Sequence, residues 1–291
     1  PDGSRLLTWG FGDTLAHIWD EQGKLLSTLS GHQADVSKGQ FLSDGQHILT
    51  SSAGGTILWS ASGHLLSKML GRVLAQSPNG KRFLIGRENE MLLYEANGQL
   101  IRPLPKVDDT FRGRTAFFFT DDSRLLVGSA YTKTIAWDAE GHYLFEVEGV
   151  VSRDYYNNAR RTQHFFPNGS FITVVSNGAA STVRQWNAQG KLMRIYEGFD
   201  DVISDAVVAP NGRFVLAFNR QKIVVWDANG IAFRTLRLSG NQSVGQARFL
   251  PNSQYVLSTN EGYSGPPQLW AIGETFVKQC QSLEKADLLQ A

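Results

Sequence analysis

The stretch VSKGQFLSDGQHILTSSAGGTILWSASGHLLSKML, residues 36–70, decides the fold. It holds four short apolar runs, Val36–Phe41, His47–Ser51, Thr56–Trp59 and His64–Leu70, parted by turn residues. Asp44-Gly45 and Gly54-Gly55 are residue types that accept the positive φ values of tight hairpin turns. Runs of about five residues with alternating or continuous apolar character, parted in this way, read as strands rather than helices. The stretch therefore predicts one four-stranded antiparallel sheet in about 40 residues.

Working outward, the same unit recurs. One aromatic occupies the same local setting seven times, at Trp19, Trp59, Tyr94, Trp137, Trp186, Trp226 and Trp270, with steps of 40, 35, 43, 49, 40 and 44 residues. Upstream of each lies a turn of one kind: PDGSRLLT, SDGQHILT, SPNGKRFLI, TDDSRLLVG, FPNGSFITV, APNGRFVLA and LPNSQYVLS. A proline or small residue presets the entry, and Asp-Gly or Asn-Gly makes the turn. A sheet of four strands repeated at this period is the signature of a propeller.

On Gly31-His32 before a strand, the Ser43–Gly45 turn and the pairs Trp19-Asp20, Trp137-Asp138 and Trp226-Asp227, the chain resembles the WD-repeat (WD40-type) β-propeller family over essentially its whole length. Plain repeats such as WDEQGKLLSTLSGH are similar to bacterial arrays of this kind, often carried at the C-terminus of large signalling or nucleotide-switch proteins. The resemblance implies an all-β, seven-bladed β-propeller of four-stranded antiparallel blades over residues 1–281. The sequence opens inside the Pro1-Asp2-Gly3 turn, so the first blade is expected to lack its innermost strand and the chain to be part of a larger protein. Glu274–Cys280 can supply the last outer strand, and 282–291 reads as a short helical tail with Ser282 as N-cap.

In the family, a loop-opening His, a turn Asp, a strand Ser or Thr and the Trp form a hydrogen-bonded tetrad. Only His32 opens a blade here, and Gly54-Gly55 stands where its Asp belongs; Asp13 fits the turn of a first blade that has no His. No blade completes the tetrad, so stability is expected mainly from packing between blades, through Phe41, Phe83, Phe117, Phe165, Phe214 and Phe249.

Composition narrows the function. A net charge of +1 argues against a general polyanion binder, which neutralises many phosphates with excess Lys and Arg. No apolar run of about 18 residues suits a membrane helix. The single cysteine, Cys280, excludes an internal disulfide and fits a reducing compartment, so a cytoplasmic location is expected. Cys280 itself reads as a small hydrophobe in an outer strand.

The six histidines show no zinc spacing, and Asp108-Asp109 and Asp121-Asp122 lack the alternating oxygens of a calcium loop and read as solvated turns. Phosphate-cradling glycine motifs are missing. The innermost strands, such as VSKGQF, VLAQS, TAFFF, QHFF, DAVVA and GQARFL, offer packing groups and few charges. No catalytic residue, metal or cofactor is therefore assigned.

The longest repeat step contains an enlarged connection, Val150 to Gln163, of sequence VVSRDYYNNARRTQ. Its Arg153, Tyr155, Tyr156, Arg160 and Arg161 are residue types that concentrate binding energy, since each joins contact area to directed hydrogen bonds. By the resemblance, Arg112 and Arg114 in the preceding equivalent connection, with Tyr131 and Tyr263 between second and third strands, share that face. Three readings stand side by side: a solvated loop whose tyrosines pack back on the blade edges, a rim docking a protein partner, or a basic aromatic surface for nucleic acid or another anionic ligand. A hydrolase sited in the central channel is a further alternative.

Overall fold

The computed structural model describes residues 2–87, 90–105, 115–119, 121–128, 133–150, 164–176, 180–237, 243–260, 266–272 and 277–279. Their strands form seven antiparallel sheets in chain order. The first holds β1 (Arg5–Trp9), β2 (Leu15–Asp20) and β3 (Leu25–Ser30); the second holds β4 (Val36–Phe41), β5 (His47–Ser52), β6 (Gly55–Ser60) and β7 (Leu65–Met69). The third comprises β8 (Arg72–Gln76), β9 (Arg82–Arg87), β10 (Glu90–Glu95) and β11 (Leu100–Pro103), and the fourth β12 (Thr115–Phe118), β13 (Arg124–Gly128), β14 (Lys133–Asp138) and β15 (Tyr143–Glu148). The fifth contains β16 (Phe171–Ser176), β17 (Ser181–Trp186) and β18 (Leu192–Tyr196). The sixth is β19 (Asp205–Val208), β20 (Phe214–Phe218), β21 (Ile223–Asp227) and β22 (Ala232–Leu236), and the seventh β23 (Val244–Phe249), β24 (Tyr255–Asn260), β25 (Gln268–Ala271) and β26 (Val277–Gln279).

The chain divides into two compact units, one of Pro1–Ala130 with Ile135–Phe145, the other of Tyr131–Thr134 with Glu146–Ala291. In the first unit, apolar layers lie between consecutive sheets. Ile18 and Leu29 meet Ile48, Ile57 and Trp59; Leu49, Leu58 and Met69 meet Val73, Phe83 and Ile85; Leu84 and Leu93 meet Phe118, Leu125 and Trp137. In the second unit, Ile172 and Val183 meet Val215, Val224 and Trp226, and Leu216 and Val225 meet Phe249 and Trp270.

Successive residues of one strand serve opposite layers: Ile57 and Trp59 face the first sheet while Leu58 faces the third. A sheet covered on both faces needs apolar residues at every position, which is why central strands such as TILW and IVVW read as unbroken runs. Each fully buried aliphatic side chain stabilises the fold by about 1.5–3 kcal/mol, so these layers carry most of the cohesion. Of the phenylalanines expected there, Phe83 is buried and stacked on Tyr94 at 5.4 Å, Phe41 packs beside the first layer, and Phe214 and Phe249 stack at 6.5 Å.

The repeated turn is built alike in every sheet. Its third position has positive φ throughout, at Gly3, Gly45, Gly80, Asp122, Gly169, Gly212 and Ser253. Asp122 and Ser253 hold that left-handed conformation without glycine's freedom, and each uses its side chain on a neighbouring turn. Asp122 accepts the Asn79 N–H at 3.2 Å, and Ser253 Oγ accepts the Asn211 N–H at 3.1 Å. The solvated turn expected at Asp121-Asp122 is thus corrected in part: Asp121 caps its own turn through Ser123, and Asp122 joins two sheets. A second recurrent irregularity is a register shift at the repeated aromatic, between Ile18/Trp19, Leu58/Trp59, Leu93/Tyr94, Gln185/Trp186 and Val225/Trp226.

Two strand expectations need comment. The first sheet has three strands, in agreement with the expected missing inner strand. The fifth also has three, and the QHFF run makes no full inner strand among the described residues; Phe165 contributes an isolated bridge to Phe171. The helical tail 282–291, Cys280 and the Asp108-Asp109 pair lie outside the described residues.

Candidate functional site

Val150 and Phe165, on either side of residues 151–163, both bridge to β16. On the outgoing side, Val150 exchanges two backbone hydrogen bonds with Val174, at 3.0 and 2.8 Å. Glu148 and Gly149 are held just before it, their carbonyls accepting the hydroxyls of Thr173 and Thr134 at 2.8 Å each. On the returning side, the His164 carbonyl accepts the Ile172 N–H at 3.0 Å, and the buried His164 ring nitrogen Nδ1 lies 2.9 Å from the Ala206 carbonyl.

Phe165 and Val150 thus bridge positions 171 and 174 of one strand, which puts the two stems about 10 Å apart at roughly 3.3 Å per residue. Ion pairs of Glu148 with Arg184 and of Glu146 with Lys133 flank the outgoing stem. The described residues on both sides of this thirteen-residue connection are thus bonded to one largely buried strand, and binding residues are commonly presented on connections between such strands.

All nine rim residues, Arg112, Arg114, Tyr131, Arg153, Tyr155, Tyr156, Arg160, Arg161 and Tyr263, lie outside the described residues. Their place in the chain is nonetheless defined by the strands around them. Arg112 and Arg114 fall between β11 and β12, Tyr131 between β13 and β14, the Arg153–Arg161 group between β15 and β16, and Tyr263 between β24 and β25.

Of the seven repeat aromatics, Trp59, Trp137, Trp186, Trp226 and Trp270 are buried and Trp19 and Tyr94 half-buried. Four of the indoles donate to a hydroxyl on the preceding strand: Trp19 to Thr8 at 2.8 Å, Trp59 to Thr50 at 2.7 Å, Trp186 to Thr173 at 2.9 Å and Trp270 to Ser258 at 2.8 Å. Trp226 donates instead to the Glu197 carbonyl at 2.7 Å. In the second sheet the network extends to His32, whose Nε2 lies 2.7 Å from Thr50 Oγ1 and whose Nδ1 lies 2.9 Å from Ser52 Oγ. Ser52 thus fills the place that the resemblance gave to an aspartate. The sequence spacing carried no signal for that substitution, because a serine at a strand end is ordinary.

A second cluster that the sequence reading missed sits in the second unit. Buried Lys222 points its Nζ over the Phe199 ring, 4.8 Å from the centroid, and pairs with exposed Asp200. Lys222 holds the Asp200 carboxyl below the usual carboxylate range, first through its hydrogen bond and also through its charge. Asp201 accepts Asn219 Nδ2 at 2.9 Å, and the Ser181 hydroxyl accepts the Ile203 N–H at 3.2 Å. The Lys222 and Asn219 contacts tie the connection 197–204 to the turn 219–222, and the Ser181 bond ties it to β17. Among the described residues, no three His, Cys, Asp or Glu side chains converge as a metal site would require, and no helix is long and apolar enough to cross a membrane.

Comparison with known proteins locates the fold. A family model described as WD domain, G-beta repeat, matches residues 23–60, from β3 to β6. Among solved structures, the crystal structure of the C-terminal WD40 domain of Sif2 matches at a TM-score of 0.65 and 15% identity, covering 93% of this chain and 79% of that one. No curated protein matches. At that identity the likeness establishes the fold alone.

Proposed function

We propose that this chain, a WD-repeat β-propeller by fold, is a non-catalytic interaction module that docks a protein partner through its enlarged and neighbouring connections. The observation that carries the reading is the double anchoring of 151–163 on β16, joined to a loop composition of Arg153, Tyr155, Tyr156, Arg160 and Arg161. Rigid stems lower the entropic cost of presenting those side chains, and Tyr and Arg convert contact area into directed bonds. Arg112, Arg114, Tyr131 and Tyr263 extend the same surface in this reading. Protein docking is also the general role of WD40 propellers, which supports it. A sensor or autoinhibitory role within a larger cytoplasmic protein fits the array-like repeats.

A basic aromatic loop also favours one second reading, an anionic ligand or nucleic acid. The test is affinity capture from source-cell lysate with the chain and with a variant carrying alanine at Arg153, Tyr155, Tyr156 and Arg161, both verified as folded. Proteins retained by the first and lost by the second support docking. Retention of nucleic acid, weakening steeply between 50 and 200 mM salt in the manner of about five phosphate contacts, supports the second reading instead. Equal retention by the two chains overturns the assignment of this loop.

A further inference from the structure

We propose that His32 is a proton-operated latch: neutral, it fastens the connection between β3 and β4 to the second sheet, and protonation in mild acid releases it. In the neutral latch the hydrogen-bond chain runs from the Trp59 indole through Thr50 and His32 to Ser52. Trp59 Nε1–H can only donate, and it donates to Thr50 Oγ1 at 2.7 Å. In that direction the single hydroxyl hydrogen of Thr50 is donated to His32 Nε2, 2.7 Å away, and that nitrogen carries a lone pair. The ring proton sits on Nδ1 and is donated to Ser52 Oγ at 2.9 Å; Ser52 also accepts the Gly54 N–H at 3.2 Å and donates toward the Gly55 carbonyl at 3.5 Å.

Adding a proton from solvent to Nε2 sets an N–H against the Thr50 O–H. Thr50 is fully buried, so its hydroxyl cannot turn to water, and a buried donor left without an acceptor is costly. The charges around the ring oppose protonation as well. From β7, Lys68 Nζ donates to the Gly31 carbonyl at 3.2 Å, next to the imidazole. From β5 and β6 come only neutral groups, Thr50, Ser51, Ser52, Thr56 and Trp59. Asp13, in the β1–β2 turn, has its carboxylate bonded to the Leu15 N–H, and Asp35 on the connection itself is exposed. Burial first, and Lys68 second, accordingly push the His32 pKa below its ordinary 6.5.

The linkage follows in sign. A histidine whose folded pKa is depressed contributes stability that is complete above about pH 6.5 and is lost as pH falls toward the depressed value. The local loss is up to about tenfold in opening equilibrium per pH unit across that window. What opens is the Gly31–Asp35 connection, where a Cβ at Gly31 would come within 3.4–3.5 Å of Ile57, Trp59 and Leu65. Ser52 is central, because a carboxylate in its place would have held an imidazolium.

The test is NMR on the full chain from pH 7.5 to 5, following the His32 ring, the Trp59 indole N–H and the amide exchange of residues 31–36 against residues 214–218. The expected result is a His32 midpoint below 6.5, a Trp59 indole shift at that same midpoint, and protection of 31–36 that falls with pH while 214–218 holds. Ser52→Asp should raise the midpoint above 6.5 and keep the connection protected in acid, and His32→Gln should remove the pH dependence. An ordinary or raised midpoint in the unaltered chain, or a Trp59 indole indifferent to the His32 titration, overturns the latch. Should Ser52→Asp fail to fold, the unaltered chain and His32→Gln decide between these outcomes.

Discussion

The second and sixth sheets solve one problem with opposite chemistry. Each buries a tryptophan on its third strand, Trp59 or Trp226, and each must satisfy the indole N–H. In the second sheet, Thr50 on the neighbouring strand accepts it and His32 completes the chain. In the sixth, the position equivalent to Thr50 is Ala217 and that equivalent to His32 is Phe199; the two are packed in one apolar layer, and the indole reaches the Glu197 carbonyl instead. A polar pair at one end of the chain is an apolar pair at the other. A buried hydroxyl needs its partner and a buried methyl needs none, so Ala217 asks for no polar group at Phe199, as Thr50 does at His32.

The largest effects test what the sheets share. Trp59→Ala and Trp226→Ala should each cost about 3–5 kcal/mol, read as a lowered denaturant midpoint, since each empties a fully packed layer between sheets. Similar losses would show that the aromatic, and not its hydrogen-bond partner, carries the cohesion.

The next effect tests the coupling. His32→Phe and Thr50→Ala should each cost about 1–3 kcal/mol by leaving a buried polar group unpaired. The double variant, which copies the sixth sheet, should cost less than the sum by roughly 0.5–3 kcal/mol in a double-mutant cycle. Strict additivity would mean that the two pairs arose independently of each other's chemistry.

The smallest effect separates the two turns. Gly45→Ala, with φ +67 and nothing near the new Cβ, should cost about 1 kcal/mol from backbone strain alone. Gly212→Ala should cost more, because its Cβ would come within 2.8 Å of the Pro167 ring. Equal thermal midpoints for these two variants would remove the inter-sheet contact from the account.

Much of this was legible beforehand. The repeated turns and aromatics gave the number of sheets and their strands, including β26 within the span Glu274–Cys280, because turn chemistry and period-two burial are local and leave local marks. The enlarged connection 150–163 could be picked out by length and composition, and the strands β15 and β16 around it give its place in the chain. The anchors on either side of it could not be read, since Val150–Val174 joins residues 24 positions apart through backbone bonds that any residue type can make, and His164 reaches the backbone carbonyl of Ala206, 42 positions away, which leaves no mark in the sequence at 206.

The sequence by itself determined a repeat of short strands, the glycine-bearing turns between them and the aromatic that recurs in each sheet. Only the tertiary structure decided that Ser52 stands in for an acid, that Asp122 and Ser253 bind the turn before them, and that Trp226 turns to a backbone carbonyl. The physical reason is range. A turn or a strand is specified by neighbours along the chain, whereas a buried donor takes whichever acceptor the packing of two distant segments brings within reach, and spacing in the sequence does not record that choice.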